Sequence, residues 1–405
     1  MLRPTGAFEA LARQWRSHVQ ILLVLCFITF ASAFSDDSSA ISSAGTPVNA
    51  GFINGTALGQ DSHYLYKRAG TNSRSNVAYT STCSDDQVTY LDSSLSEAKD
   101  LASRAVTAIS ELLDIMRLKE QPEHWPSASY TRRYRNFLLW GSLFGEPILQ
   151  RGVGRRTLQD TISTMASMKN AFIRVRNALD VKKNNFHMII NCHDNWLVYS
   201  HDEEISDGKG GKVLSRMYHD TRIQDQKVYM SHTMTCHERP SMRGYTWENK
   251  FTGKEETVYC PNSFPMWNGR HIADRQSSTF ASMKGKTFKD VKEYAAAGTM
   301  LHEVTHSEKT LGDYATEDVH ITYQGQTYSA YGGPLCRELA MTFTDDIGYP
   351  ELNADTLALF GLGVYYSQCN WANPDKPGKC WTDKPDRICP TVNNQRTCVA
   401  FNWKA

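Results

Sequence analysis

Apolar positions recur at helical spacing from residue 84 onward. Ser84-Asp85-Asp86-Gln87 has the spacing of a capping box. Val88, Leu91, Leu95, Ala98, Leu101, Ala102, Ala105, Ile109, Leu112, Leu113 and Met116 then form one stripe. That pattern predicts a long amphipathic helix stopped before Pro122. A second helix is predicted from about Thr157, with Leu158, Ile162, Met165 and Met168 on its apolar face. Between the two, Tyr130 to Gly145 is rich in aromatics and Arg and is expected to pack on the core. The short apolar run Met188-Ile189-Ile190 predicts a strand, and Glu256 to Cys260, ending at Pro261, predicts another. Residues 200–256 are polar and Gly-rich, and read as loops with a hairpin.

Thr287 to His306 reads as one helix. After it, Asp318 to Tyr323 alternates as a strand does, and Gly325 turns the chain. Helices are predicted from about Pro334 to Phe343 and from about Pro350 to Tyr366. The fold class is α+β, mostly helical, with no internal repeat.

The N-terminus changes the picture of where the chain is made. Arg3, Arg13 and Arg16 precede an apolar run, Ile21 to Ala31, and Ala31-Ser32-Ala33 has the small-x-small pattern of a cleavage site. Residues 1–33 are therefore expected to be a signal peptide, and the protein to be secreted, with no membrane association after cleavage. Residues 34–82 are rich in Ser, Gly, Asn, Thr and Ala and lack apolar patterning, which predicts a flexible segment. The dibasic pair Lys67-Arg68 lies within it. It suits a kexin-like processing protease and marks residues 34–68 as a pro-segment. Asn54-Gly55-Thr56 is a glycosylation sequon inside that piece. The remainder divides into a main domain, 69–368, and a Cys-rich tail, 369–405.

The net charge of +1 gives no argument for nucleic acid or an anionic membrane as partner. Of ten cysteines, Cys26 falls in the signal peptide. That leaves nine, an odd number, so one is expected without an intramolecular partner. No C-x-x-C is present, which argues against a thiolate metal site or a redox pair.

The strongest chemical signal is His302-Glu303-Val304-Thr305-His306, an H-E-x-x-H on a predicted helix. Positions i and i+4 share a helical face, so two imidazoles at that spacing suit one zinc ion. Glu303 then projects beside the ion as a general base. A catalytic zinc needs a third protein ligand. The metzincin pattern would continue with Gly and His, but those places hold Lys309 and Gly312. A gluzincin would use a Glu on a later helix. Glu338 is available, but its usual acidic companion is Thr342.

A different continuation is present. The chain reads Tyr-Gly-Gly-Pro-Leu-Cys-Arg-Glu-Leu-Ala from Tyr331, then Asn353-Ala354-Asp355. This resembles the deuterolysin-like aspzincin metallopeptidases, including the lysine-specific relatives. The segments around Cys83, Tyr134 to Gly145 and Val258 to Pro261 look like the same family, so the resemblance spans roughly residues 80–370, with gaps between motifs. It implies a zincin-like metallopeptidase domain that hydrolyses peptide bonds with one Zn²⁺ held by His-His-Asp. Carried over, His302 and His306 are ligands, Glu303 is the base and Tyr331 donates to the oxyanion. Protein or peptide substrates are the implied partners.

The sequence departs from the family at one point. The usual ligand aspartate lies three residues before the tyrosine, and that place holds Tyr328. The third ligand is then expected from Asp318, at the start of a predicted strand, with Asp313 second. Secreted relatives with altered motifs that only capture zinc give the competing reading, a non-catalytic zinc-binding protein. His193-Asp194, His201-Asp202 and His219-Asp220 form a recurrent dipeptide that is expected to be solvated loop.

Overall fold

Ser84 opens the longest helix of the fold. In the computed structural model its hydroxyl caps Gln87 N–H while the Gln87 side chain caps Ser84 N–H, and helix α1 runs Asp85–Leu118. Lys119 ends it in the left-handed region, three residues before Pro122. The residues described are 66–67, 77–120, 127–145, 157–180, 188–206, 211–223, 226–230, 235–249, 253–276, 280–343, 349–372, 378–381, 391–392 and 395–396. The expected signal peptide and nearly all of the expected pro-segment, with its sequon, lie outside them. No described helix is long and apolar enough to cross a membrane.

Helices α2 (Ser127–Phe144) and α3 (Leu158–Ala178) follow. Thr157 caps α3 with a second reciprocal box, through Asp160. Two further helices are buried along their whole length: α5 (Ala296–Thr305) and α7 (Ala354–Tyr365). Their sequences are apolar on nearly every face, which suits an interior position. α1 packs against α3, α5 and α7, and this helical layer carries most of the core. The approach of α7 to α5 requires a missing side chain. A Cβ on Gly361 would lie 2.8 Å from Leu301 Cδ2.

A five-stranded mixed sheet lies beside the helices. In chain order its strands are β1 (Tyr66–Lys67), β2 (Val77–Thr80), β3 (Met188–Asn191), β7 (Gly244–Asn249) and β8 (Lys254–Tyr259), with spatial order β1-β2-β3-β8-β7. β2, β3 and β8 run parallel, and β7 returns antiparallel to β8 with Thr246 opposite Thr257. The disulfide Cys83–Cys192 ties the start of α1 to the end of β3. A hairpin, β9 (His320–Tyr323) and β10 (Gln326–Ser329), leads into α6 (Gly332–Thr342). The class is α+β, as the apolar pattern predicts.

Besides the segment 34–82, whose Val77–Thr80 is the buried strand β2 and not flexible chain, three local expectations need correction. Residues 200–256 are not mainly loop. β4 (Leu197–Ser206), β5 (Lys212–Asp220) and β6 (Lys227–Met230) form a separate antiparallel sheet, and β7 adds a strand to the main one. The faces of β4 are mostly exposed, so apolar alternation is weak there. Asp194 and Asp220 are not solvated either. Asp194 accepts from Cys236 N and Tyr245 Oη, and Asp220 pairs with Arg222, which also reaches Glu256.

The third correction is to the helix Thr287 to His306. It is two helices, α4 (Phe288–Lys292) and α5, separated by Glu293 to Ala295. No Gly or Pro marks the break. Ala295 gives α5 no side-chain cap, and the hydroxyl of Tyr90, on α1, accepts from Ala296 N at 3.1 Å instead. A cap supplied from another helix leaves no local trace in the sequence.

The first part of the Cys-rich tail joins the main core. Cys369 bonds Cys380, Trp371 stacks on Phe288, and Phe288 N donates to Gly378 O. Cys389 and Cys398 lie outside the described residues. Cys236 bonds Cys260. Cys336, which is buried, is the free cysteine among the described residues.

Candidate metal centre

The turn after α5 assembles the site. His302 faces inward from the helix, and His306 stands at its C-cap. The chain then folds back onto the helix end. Thr316 N donates to Thr305 O, and Thr316 Oγ1 donates to Thr305 Oγ1. The same return places Thr316 O 2.9 Å from His306 Nδ1. Two residues later comes Asp318. Its segment is fixed from below by α7, because Glu317 N donates to Leu352 O, Ala354 N donates to Glu317 O and Asn353 Oδ1 accepts from Val319 N.

His302, His306 and Asp318 are thus brought together. The two Nε2 atoms stand 3.3 Å apart. Asp318 Oδ1 lies 3.4 Å from His302 Nε2 and 3.5 Å from His306 Nε2. Ligands at ~2.0–2.1 Å from a tetrahedral ion stand roughly 3.3–3.4 Å from one another. The triangle therefore has the size of a zinc site. The Asp318 side chain is 35% exposed as a whole. Yet Oδ1 is buried and has no hydrogen-bond partner among the described residues. A buried carboxylate oxygen left unbonded is costly, and a cation at the centre of the triangle would satisfy it. Two imidazoles and one carboxylate are zinc donors. Asp313 is elsewhere, exposed in a 3₁₀ turn, Gly312–Tyr314.

The charges are mutually adjusted. Burial opposes charge on His306, but the Asp318 carboxylate outweighs it and lifts the imidazole to about 9. Burial likewise opposes charge on Asp318, yet the imidazoles of His306 and His302 hold its carboxyl well below the usual range.

Glu303 is buried on α5. Its Oε2 accepts from Thr246 Oγ1 at 2.8 Å, and Thr246 Oγ1 is 2.9 Å from Thr257 Oγ1. The H-E-x-x-H helix is thereby connected to β7. Tyr331 is 44% exposed at the mouth of the site. Its hydroxyl donates to Asp318 Oδ2, which leaves Oδ1 turned to the histidines. Tyr328, on β10, donates to Gln326.

Sequence reasoning missed three residues at the site: Thr246, Lys292 and Asp355. Lys292 pairs with Asp355 Oδ1, and His302 Nδ1 lies 3.3 Å from that same oxygen. Burial opposes the charge of each partner, but the pair wins: Lys292 is held charged above its ordinary value and Asp355 is pushed below its own. Asp355 ends the Asn-Ala-Asp motif, which is the only signal that marked it. Comparison with protein-family models and with curated proteins finds no match for this chain.

Proposed function

We propose that the protein is a zinc-dependent endopeptidase with a zincin-like, aspzincin-type domain, secreted as a precursor and acting on protein or peptide substrates. The observation that carries this reading is the mutual spacing of His302 Nε2, His306 Nε2 and Asp318 Oδ1, with Glu303 on the same helix. Those three residues would hold one Zn²⁺. When bound, the ion supplies a water acidified toward a pKa of ~7 and a polarised substrate carbonyl.

The remaining chemistry belongs to the chain. Glu303 takes a proton from the attacking water and passes it to the leaving amine. Thr246 fixes one oxygen of that carboxylate, so the other is aimed without loss of entropy in the reaction. Tyr331 stands beside Asp318 with a hydroxyl that becomes an oxyanion donor once it exchanges its partner for substrate. Three disulfides among the described residues support an oxidising compartment. A passive zinc carrier has no use for a buried, hydroxyl-oriented glutamate beside the ligands, so the catalytic reading is the better one.

The test is cleavage of an unfolded protein by the processed wild type and by Glu303→Gln, both loaded with zinc. Hydrolysis by the wild type alone supports the proposal. A folded, zinc-loaded wild type as inactive as the variant refutes it and leaves a zinc-binding protein.

A further inference from the structure

We propose that Asp355 is the positioning residue of this centre, aligning His302 with one carboxylate oxygen and the Tyr331 loop with the other. The inference rests on the metal-centre reading above and concerns a residue outside the H-E-x-x-H motif and the ligand set.

Asp355 stands in the first turn of α7 and is 1% exposed. Its Oδ1 is 3.3 Å from His302 Nδ1. The contact is an ion-pair approach rather than a straight hydrogen bond, as His302 Nδ1 has no aligned acceptor among the described residues. An imidazole that gives its Nε2 lone pair to a metal must carry its proton on Nδ1. A carboxylate on the Nδ1 side favours that tautomer and leaves Nε2 free toward Asp318 and His306. His306 is oriented by a different group, the backbone carbonyl of Thr316. Each ligand imidazole thus has its own partner.

The second oxygen does separate work. Asp355 Oδ2 accepts from Gly332 N at 2.6 Å. Gly332 has φ +74°, a left-handed conformation that glycine adopts without strain. It follows Tyr331, the N-cap of α6. The bond therefore sets where the tyrosine leaves the hairpin, and so where its hydroxyl meets Asp318. A lone buried carboxylate would be too costly for this role. Lys292, at the end of α4, supplies the compensating charge on Oδ1.

The experiment uses the full chain. Zinc affinity is measured by competition with a coloured chelator for the wild type, Asp355→Ala, and the double variant Lys292→Met/Asp355→Leu, which removes the ion pair without leaving a buried charge. The ring nitrogens of His302 are followed by ¹⁵N NMR in the zinc-loaded proteins. The expected result is a wild-type His302 with a proton on Nδ1 protected from exchange. In the folded variants zinc binding should be about 10–100-fold weaker and that protection lost. Variants with wild-type affinity and an unchanged His302 signal overturn the inference while leaving the metal centre intact. Should neither variant fold, the wild-type spectrum decides, and a His302 Nδ1–H that exchanges like a free imidazole overturns it. A wild type that takes up no zinc removes the metal-centre reading and this inference together. Zinc uptake without hydrolysis removes only the catalytic half of the reading.

Discussion

Thr246 Oγ1 donates to Glu303 Oε2 across 2.8 Å, and this bond joins an outer strand of the sheet to the helix that carries H-E-x-x-H. Thr257, opposite Thr246 on β8, sits 2.9 Å from the same hydroxyl. With Thr246 donating to the carboxylate, Thr257 donates to Thr246. Glu303, the proposed general base, is therefore held by a two-hydroxyl chain.

Thr246→Val removes that chain and keeps the shape of the side chain. A hydrogen bond to a charged group is worth about 1.5–3 kcal/mol. kcat for peptide hydrolysis should fall by roughly 10–100-fold if most of that is felt in the transition state. Zinc affinity should not change, because Thr246 touches no ligand. Thr246→Ser should recover most of the rate. A Val variant with wild-type kcat would show that Glu303 needs no orienting hydroxyl.

The third ligand can be assigned by paired substitution. Asp318→Ala should lose zinc affinity strongly, while Asp313→Ala, in an exposed turn, should bind as the wild type does. Chelator competition on both variants is sufficient. The opposite ranking would remove Asp318 from the site.

Zinc binding should release protons. Without metal, Asp318 and its neighbours raise His306 to about 9, so near pH 7 that imidazole is mainly protonated. A ligand imidazole must be neutral. Apparent affinity should then rise with pH up to about 9 and level off above it. Calorimetry in two buffers of different ionisation enthalpy measures the protons released, and a value of zero at pH 7 would contradict this account.

The entry to α4 should be acid-sensitive in a small, defined way. Burial alone would raise the Asp290 pKa, but hydrogen bonds from Thr287 N and Thr287 Oγ1 lower it below its ordinary value. A depressed folded pKa stabilises the protein above the unfolded value of ~3.9, and that stability is lost as pH falls through the folded value. Asp290 is exposed, so salt should weaken the effect. Asp290→Asn should flatten the slope of Tm against pH below about 4. Thr287→Ala should cost about 1 kcal/mol at neutral pH through loss of the N-cap.

Much of this protein was legible in the sequence. The capping box at Ser84, the start of a helix near Thr157 and the apolar stripe of α1 are local signals, and short-range hydrogen bonds and one-face burial suffice to fix them. The same locality made His302, Glu303 and His306 readable, since one turn of helix brings i and i+4 together whatever the rest of the chain does. The break before α5 was not readable, because its cap comes from Tyr90 on another helix. The strands within 200–256 were obscured for a related reason. Exposed faces on β4 and the buried carboxylate of Asp220 blur the alternation that marks a strand.

The choice of the remaining site residues belongs to tertiary structure. In sequence, Asp318 stood ahead of Asp313 only through its place at the start of a predicted strand. Only the return of Thr316 onto the end of α5, and the grip of α7 on Glu317 and Val319, put Asp318 beside the histidines. Thr246, Lys292 and Asp355 come from β7, α4 and α7, far apart along the chain. Sequence determined the helix that carries two imidazoles and a carboxylate, because that arrangement is fixed within one helical turn. Long-range packing decided what surrounds them, because the partners of a buried charge are chosen by proximity in the folded core.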